Sequence, residues 1–193
     1  MPLDLVILGP PGAGKGTQAQ LVAAEAGIPH VATGDIIRAM KEQDTDLGRE
    51  VKAVYDRGDL VSDELMIALI RTRLAEADTA AGFILDGFPR TLAQAEALDR
   101  MLEGIDRRLA AVLNFQVPDE VAVERLHGRA VQEGRSDDTP DVIQHRLDVF
   151  HSRTAPVVEH YRAKGILVPI DGEGPVESVF GQVQSALQTA AAE

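Results

Sequence analysis

The residues from Gly9 to Thr17, GPPGAGKGT, have the types and the spacing that bind phosphate groups. Gly9, Gly12 and Gly14 allow the backbone to turn tightly around an anion, so that its N–H groups point towards phosphate oxygens. Lys15 adds a mobile positive charge, and a helix that begins here adds the positive end of its dipole. The segment therefore predicts a site for a triphosphate.

The end of this loop departs from the commonest pattern. That pattern is Gly-Lys-Ser/Thr, in which the hydroxyl group binds the metal ion. Here Gly16 follows Lys15, and Thr17 comes one position later. A Mg²⁺ ion is therefore not expected to be held by a hydroxyl group of this loop in the usual way.

A second motif, ATGDIIR, runs from Ala32 to Arg38 directly after a candidate strand. Thr33 can cap the helix that follows, and Asp35 lies near the positive end of that helix. Arg38 projects about one turn further along, where it could hold a phosphate. The alternative interpretation is simply a well-capped helix.

A third motif is LDGFPRT, from Leu85 to Thr91. Asp86 lies at the carboxyl end of a candidate strand, where open α/β sheets bind ligands and an acid can organise Mg²⁺ and its water molecules. Gly87 permits close approach of the backbone, and Arg90 has no evident structural purpose. The alternative interpretation is a turn before a capped helix.

Short apolar runs alternate with helical patterns along the chain, which predicts an α/β fold with a parallel, doubly wound sheet. The candidate strands are Leu3–Leu8, His30–Ala32, Phe83–Leu85, Leu109–Val117 and Ile166–Ile170. The predicted helix boundaries are Gly27, Ser62, Gly82, the capping box of Thr91 and Gln94, Thr139 with Pro140, and Pro175.

Two stretches interrupt the alternation. About fifty residues separate the second and third candidate strands, and they include helical segments at Asp35–Lys41 and Leu47–Arg57, which predicts an inserted helical subdomain. The polar segment AVQEGRSDD, Ala130 to Asp138, predicts a loop that is either a lid or a surface loop without a functional role.

Composition excludes several classes of function. The 193 residues carry a net charge of −12, so broad binding to nucleic acid or to an anionic membrane is not expected. The absence of cysteine excludes disulfides, thiolate catalysis and cysteine-bound zinc. Because we find neither a charged leader nor an apolar run long enough to cross a membrane, we expect a cytoplasmic location.

Four segments, GPPGAGKGTQ, TGDIIR, LVSDEL and LDGFPRT, resemble in order and spacing the motifs of the adenylate kinase family. The similarity runs from Leu5 to about Gly172, and Gly16–Thr17 is the form that this family carries. The resemblance implies a P-loop NTPase three-layer fold with a five-stranded parallel sheet. It also implies the reaction MgATP + AMP ⇌ 2 ADP.

By the same resemblance, the chain is a single kinase domain over residues 1–193. Its core is expected at 1–31, 62–127 and 139–193, with a helical AMP-binding insertion at 32–61 and a short lid at 128–138. The lid has no cysteine and the five histidines show no ligand spacing, so we expect no structural zinc and interpret the histidines as structural or surface residues. The expected partners are ATP, AMP and ADP, and the expected state is a monomer.

The resemblance also implies roles for individual residues. Those implied for ATP are Gly12, Ala13, Gly14, Lys15, Gly16, Thr17, Arg125, Arg129 and Gly172. Those implied for AMP are Thr33, Arg38, Asp59, Leu60, Val61, Gly87, Phe88, Pro89, Arg90, Gln94, Arg135 and Arg146. Those implied for catalysis are Lys15, Arg90, Arg129, Arg135 and Arg146. Asp86 would hold Mg²⁺ through water.

The arginines also allow a simpler interpretation. Arg125 and Arg129 are four residues apart and therefore share one face of a helix, which taken alone is typical of a solvated surface. Asp137 and Asp138 would either hold these arginines, with Arg135 and Arg146, in place or form a polar turn.

Two alternative functions remain open. A UMP/CMP kinase shares the loop and the DGFPR turn, but such kinases tend to carry Ala at the position of Thr33 and Asn at that of Thr91. The other class is a nucleotide switch or a non-catalytic binding module. A switch would need Asp-x-x-Gly after a strand, whereas Pro89 stands three residues after Asp86, and its Asn-Lys-x-Asp motif is absent. A kinase-like module without activity should have lost some of the expected arginines, yet all six are present.

Overall fold

The computed structural model describes residues 2–133 and 138–190. Within these ranges, five strands form one parallel sheet in the order β2-β3-β1-β4-β5. The strands are β1 (Leu3–Leu8), β2 (His30–Ala32), β3 (Gly82–Asp86), β4 (Ala111–Gln116) and β5 (Leu167–Asp171). The predicted α/β fold with five parallel strands is confirmed.

Helices cover both faces of this sheet. They are α1 (Lys15–Ala26), α2 (Thr33–Lys41), α3 (Asp46–Asp56), α4 (Asp63–Leu74), α5 (Leu92–Glu103), α6 (Asp119–Glu133), α7 (Pro140–Val149), α8 (Ala155–Ala163) and α9 (Val176–Ala190). A 3₁₀ turn, Ala77–Thr79, precedes β3, and a π-helical turn, Phe150–Thr154, joins α7 to α8. None of these helices is long and apolar enough to cross a membrane.

The near-continuous apolar character of β1 follows from its central position. Val6 and Leu8 belong to a core that includes residues of α4, α5 and α8, while Leu5 and Ile7 belong to a second core shared with α1 and α9. Successive side chains of a strand point to opposite faces, so a strand buried on both faces is apolar at nearly every position. The result is three layers, with the sheet between two layers of helices.

The predicted helix starts at Ser62, Thr91 and Thr139 are confirmed. Each side chain accepts a hydrogen bond from the backbone N–H three residues later, at 3.4, 3.2 and 3.4 Å respectively. Pro140 follows Thr139 at the first helical position, where its missing N–H costs nothing. Gly27 ends α1 in the left-handed conformation, as expected.

Three local predictions are wrong. Thr33 does not cap α2 but begins it, and its hydroxyl donates to the backbone oxygen of Asp86 at 3.2 Å. The capping box is incomplete, because Gln94 Oε1 accepts from the N–H of Arg90 rather than of Thr91. Gly82 does not end a helix, since α4 already stops at Leu74.

Gly82 instead begins β3 with a φ of +137°, where a Cβ atom would lie 2.3 Å from the backbone oxygen of Leu3. The close approach of β3 to β1 therefore explains this glycine. At the same end of the sheet, the buried Asp4 carboxylate on β1 accepts from Arg107 Nε at 2.8 Å. This ion pair lies at the end of β1 opposite to the glycine-rich loop.

Candidate active site

The glycine-rich loop connects β1 to α1 as the sequence predicts. Gly9, Gly12 and Gly14 all have positive φ angles, and α1 begins at Lys15. A Cβ atom at Gly12 would lie 2.5 Å from the backbone oxygen of Ala122, whereas one at Gly14 would meet nothing within 4 Å. Gly12 therefore allows α6 to pack against the loop, and Gly14 faces open space.

A cavity of about 920 Å³ opens beside this loop. Among the described residues, its walls carry six cations and three carboxylates, although the whole chain has a net charge of −12. The cations are Lys15, Arg38, Arg90, Arg125, Arg129 and Arg146, and the carboxylates are Asp35, Asp86 and Glu124. An excess of cations in a concave site favours a highly charged anionic ligand.

Lys15 lies within this group of cations. Its Nζ donates to the backbone oxygen of Pro10 at 2.7 Å. The pKa of Lys15 is lowered to about 8, chiefly by burial and further by the charges of Arg90 and Arg129, while the charge of Asp86 partly opposes them. The ammonium group therefore lacks sufficient negative charge around it, which the phosphates of a ligand would supply.

Asp86 lies at the carboxyl end of β3, as the sequence predicts. Burial favours its neutral form, but the hydrogen bond from His30 and the charge of Lys15 outweigh it, so that the pKa of Asp86 is lowered. His30 Nε2 lies 3.3 Å from Asp86 Oδ2. The carboxylate is thus ionised, and Gly16 is close to it, since a Cβ atom there would lie 3.5 Å from Oδ2.

The position of His30 differs from the interpretation of all histidines as structural or surface residues, because His30 lines the cavity. The signal was available in the strand order. His30 begins β2 opposite Ile84, two positions before Asp86 on the parallel neighbour β3, so the side chains of His30 and Asp86 lie on the same face of the sheet. In the described part of the chain, no group of three or more His, Cys, Asp or Glu could hold a metal ion.

Arg90 projects from the turn after β3. Its Nε donates to the backbone oxygen of Gly87 at 2.8 Å. Burial and the nearby Arg146 lower the pKa of Arg90, while Asp86 and Tyr55 raise it. Arg90 lines both the large cavity and a smaller adjoining one of about 80 Å³. The Arg90 side chain therefore lies where the large cavity and the smaller cavity meet.

Asp138 connects the two arginines that follow in the chain. Its fully buried carboxylate accepts from Arg129 Nε at 3.0 Å and Nη2 at 2.6 Å, and it also pairs with Arg146. The expectation that Asp138 holds arginines of the predicted site is confirmed for Arg129 and Arg146. Arg135 and Asp137 lie outside the described residues.

Arg125 lies one turn before Arg129 and lines the same cavity, so the prediction that they share a face is confirmed. Arg125 donates to the backbone oxygens of Gly172 at 2.8 Å and Glu173 at 3.2 Å. The helix α6 is thereby connected to the loop after β5. The structure brings together Arg125 and Gly172, which are 47 residues apart.

The residues predicted for AMP are only partly brought together around a cavity. The smaller cavity includes Leu60, Gly87, Pro89, Arg90 and Arg146, and the larger one includes Arg38. The predicted ATP and AMP residues that line neither cavity are Ala13, Thr33, Asp59, Val61, Phe88, Gln94 and Gly172. Phe88 is fully buried in the core, and Asp59 accepts from His145 Nε2 at 2.7 Å.

Sequence reasoning missed Tyr55, which lines the large cavity near the end of α3. Its hydroxyl accepts from Arg38 Nη1 at 3.2 Å, and the Arg146 guanidinium lies 5.2 Å from its ring centre. Tyr55 therefore contacts two cations of the site, Arg38 through its hydroxyl and Arg146 through its ring. A single aromatic residue in an amphipathic helix gave no signal of this role.

Comparisons with known proteins agree with the geometry. A family model described as adenylate kinase matches residues 7–166. The chain is 50% identical over 189 residues to an adenylate kinase of Thermobifida fusca, which covers 98% of this chain and 100% of the relative. It is 45% identical over 186 residues to one of Stenotrophomonas maltophilia, covering 96% and 100%. It is 48% identical over 183 residues to one of Leptospira biflexa, covering 95% and 98%. The chain belongs to the adenylate kinase family.

Proposed function

We propose that the chain catalyses the reversible transfer of the γ-phosphoryl group of ATP to AMP, which yields two molecules of ADP. The observation that carries this proposal is the excess of cations around the glycine-rich loop, in a cavity joined to a second one through Arg90. The phosphates of two bound nucleotides bring many negative charges close together, and the cations that line the two joined cavities would balance these charges.

The larger cavity is proposed to bind ATP. The backbone of residues 12–17 and Lys15 would hold its phosphates, while Arg125, fixed by its bonds to the loop after β5, would lie against the adenine near Gly172. The smaller cavity and the adjoining residues 59–61 and 87–90 would bind AMP, with Arg38 near its phosphate and Gln94 at its base. Arg135 is proposed to join the catalytic arginines.

Asp86 is proposed to hold Mg²⁺ through water. Mg²⁺ binds hard oxygen ligands, keeps several of its waters and commonly uses one or two carboxylates together with substrate phosphates. The single ionised carboxylate of Asp86, beside the loop at Gly16, fits that chemistry. The bound ion would neutralise part of the charge on the phosphates of ATP.

Position and charge are proposed to provide most of the catalysis. The phosphate oxygen of AMP is already an anionic nucleophile, so no general base is required. Lys15, Arg90, Arg129 and Arg146 would stabilise the charge on the phosphoryl group during transfer. Asp138 would keep the last two arginines in position before the substrates arrive.

The proposal includes closure of two segments over the substrates. Residues 32–61 would close over AMP, and residues 128–138 would close over ATP, because water must be kept from the phosphoryl group. We further propose that the protein acts as a cytoplasmic monomer that binds neither nucleic acid nor membranes.

Replacement of Arg90 tests the proposed chemistry. We expect Arg90→Ala to lower kcat for ADP formation from ATP and AMP by about 10²- to 10³-fold, since a charge that stabilises the transition state is removed. Arg100→Ala is a matched control, because Arg100 is exposed on α5. Turnover of Arg90→Ala within a few-fold of the unmodified protein would contradict the role given to Arg90.

The acceptor is tested separately by assaying AMP, UMP and CMP at equal concentrations. We expect the largest kcat/KM with AMP, in line with the family to which the chain belongs. No feature of the described residues favours UMP or CMP. A preference for either of these would overturn the choice of AMP.

A further inference from the structure

The side-chain amide of Gln94 is held at both of its ends. Its Nε2 donates to Asp63 Oδ1 at 2.8 Å, and its Oε1 accepts from the backbone N–H of Arg90 at 2.8 Å. The side chain is only 2% exposed. A carboxylate oxygen can only accept and a backbone N–H can only donate, so the nitrogen and oxygen of this amide cannot exchange places without losing both bonds.

Asp63 is the residue that fixes the nitrogen end. It is the first residue of α4, two positions after Val61, and the same Oδ1 atom also accepts from the hydroxyl of Thr91 at 3.0 Å. That hydroxyl in turn accepts from the backbone N–H of Gln94 at 3.2 Å. The carboxylate therefore connects the start of α4, where the proposed AMP-binding insertion ends, to the start of α5.

The held amide keeps some of its hydrogen-bonding capacity. Nε2 has a second N–H, and Oε1 has a second lone pair. Together they form an edge that presents a donor beside an acceptor in a fixed order. Adenine presents an acceptor, N1, beside the donor N6, which matches that order. Hypoxanthine presents a donor, N1–H, beside the acceptor O6, which matches only an amide that has been turned over.

We propose that Asp63 is a positioning residue that makes the acceptor site select a base with an amino group over one with an oxo group. The inference rests on the proposed function, in which Gln94, which lines neither cavity, contacts the base of AMP once residues 32–61 have closed over it. Asp63 itself does not touch the nucleotide. It acts together with the backbone N–H of Arg90, because each of the two bonds opposes rotation of the Gln94 amide. Loss of the bond to Asp63 would make the turned amide, which suits an oxo base, more accessible.

The test compares kcat/KM for AMP and for IMP, which differ in this one group. We expect Asp63→Ala to lower the ratio of AMP to IMP by about 10- to 100-fold, because the amide loses its hydrogen bond to a charged group and keeps only the bond from the Arg90 N–H to fix its orientation. Asp63→Asn should keep the ratio, since an amide oxygen can still accept from Thr91 and Gln94. Glu64→Ala is the matched control, because Glu64 is an exposed acid in the same helical turn.

The change in ratio separates positioning from a loss of stability, since misfolding lowers the rates with AMP and IMP equally. Gln94→Ala should lower the ratio by itself, and adding Asp63→Ala to it should cause no further change. If Asp63→Ala does not fold, Asp63→Ser provides the same comparison with a side chain too short to reach Gln94. An unchanged ratio in the folded variant would overturn the role of Asp63, whereas failure of the unmodified protein to use AMP would overturn the proposed function.

Discussion

The lowered pKa of Lys15 predicts that binding of ATP takes up a proton at alkaline pH. In the free protein the pKa is about 8, because burial and the neighbouring arginines disfavour the charged form. The phosphates of ATP would favour the charged form and return the pKa towards 10.5. Proton uptake on binding should therefore be about 0.1 at pH 7, about 0.5 at pH 8 and about 0.9 at pH 9.

Calorimetric titration with MgATP in the absence of AMP measures this uptake. Titrations at each pH are repeated in buffers of different ionisation enthalpy, and the dependence of the observed heat on that enthalpy gives the number of protons. Histidines, with an ordinary pKa near 6.5, would give an uptake that falls as the pH rises from 7 to 9. The expected rise with pH therefore separates Lys15 from the histidines.

Lys15→Arg is the informative variant, because its guanidinium keeps the positive charge and does not lose its proton in this range. We expect its proton uptake to stay near zero at pH 9. Lys164→Gln is the control, since Lys164 pairs with Asp99 and lies outside the cavity. An uptake that falls between pH 7 and pH 9, or one that persists in Lys15→Arg, would refute this account of Lys15.

Three further changes test how the fold supports the site, each by urea denaturation. Gly12→Ala should cost about 3 kcal/mol of unfolding free energy, since it combines a positive φ with a clash, whereas Gly27→Ala, with a positive φ and open space, should cost about 1 kcal/mol. Asp4→Asn should cost about 3 kcal/mol by removing the negative charge that balances the largely buried Arg107, with KM for both nucleotides unchanged. Asp138→Ala should cost about 2 kcal/mol, because two arginines lose their shared carboxylate.

Local sequence patterns predicted the features that depend on neighbouring residues. The loop after β1 has glycines where φ is positive, and Thr139 with Pro140 starts a helix by chemistry confined to one turn. The strand order, in contrast, depends on which segments pair. Once it is known, the meeting of His30 with Asp86 follows directly.

Features that depend on distant residues could not be predicted in the same way. Asp4 interrupts an apolar strand, and its partner Arg107 lies 103 residues away. In the sequence, Gly82 fits the end of a helix as well as the start of a strand. Only the close approach of the Leu3 backbone explains why a glycine is needed at this position. The bond between Asp63 and Gln94 likewise joins two helix starts that are separated by 31 positions.

The central position of β1 affects how the protein can be made. Its two hydrogen-bonded neighbours are β3 and β4, and β4 ends only at Gln116. At ribosomal rates of about 5–20 residues per second, β1 is synthesised about 5 to 20 s before the synthesis of its second neighbour is complete. Throughout that interval an apolar strand has at least one unpaired edge. The glycine-rich loop that follows β1 therefore lacks its complete sheet support until more than half of the chain has been translated.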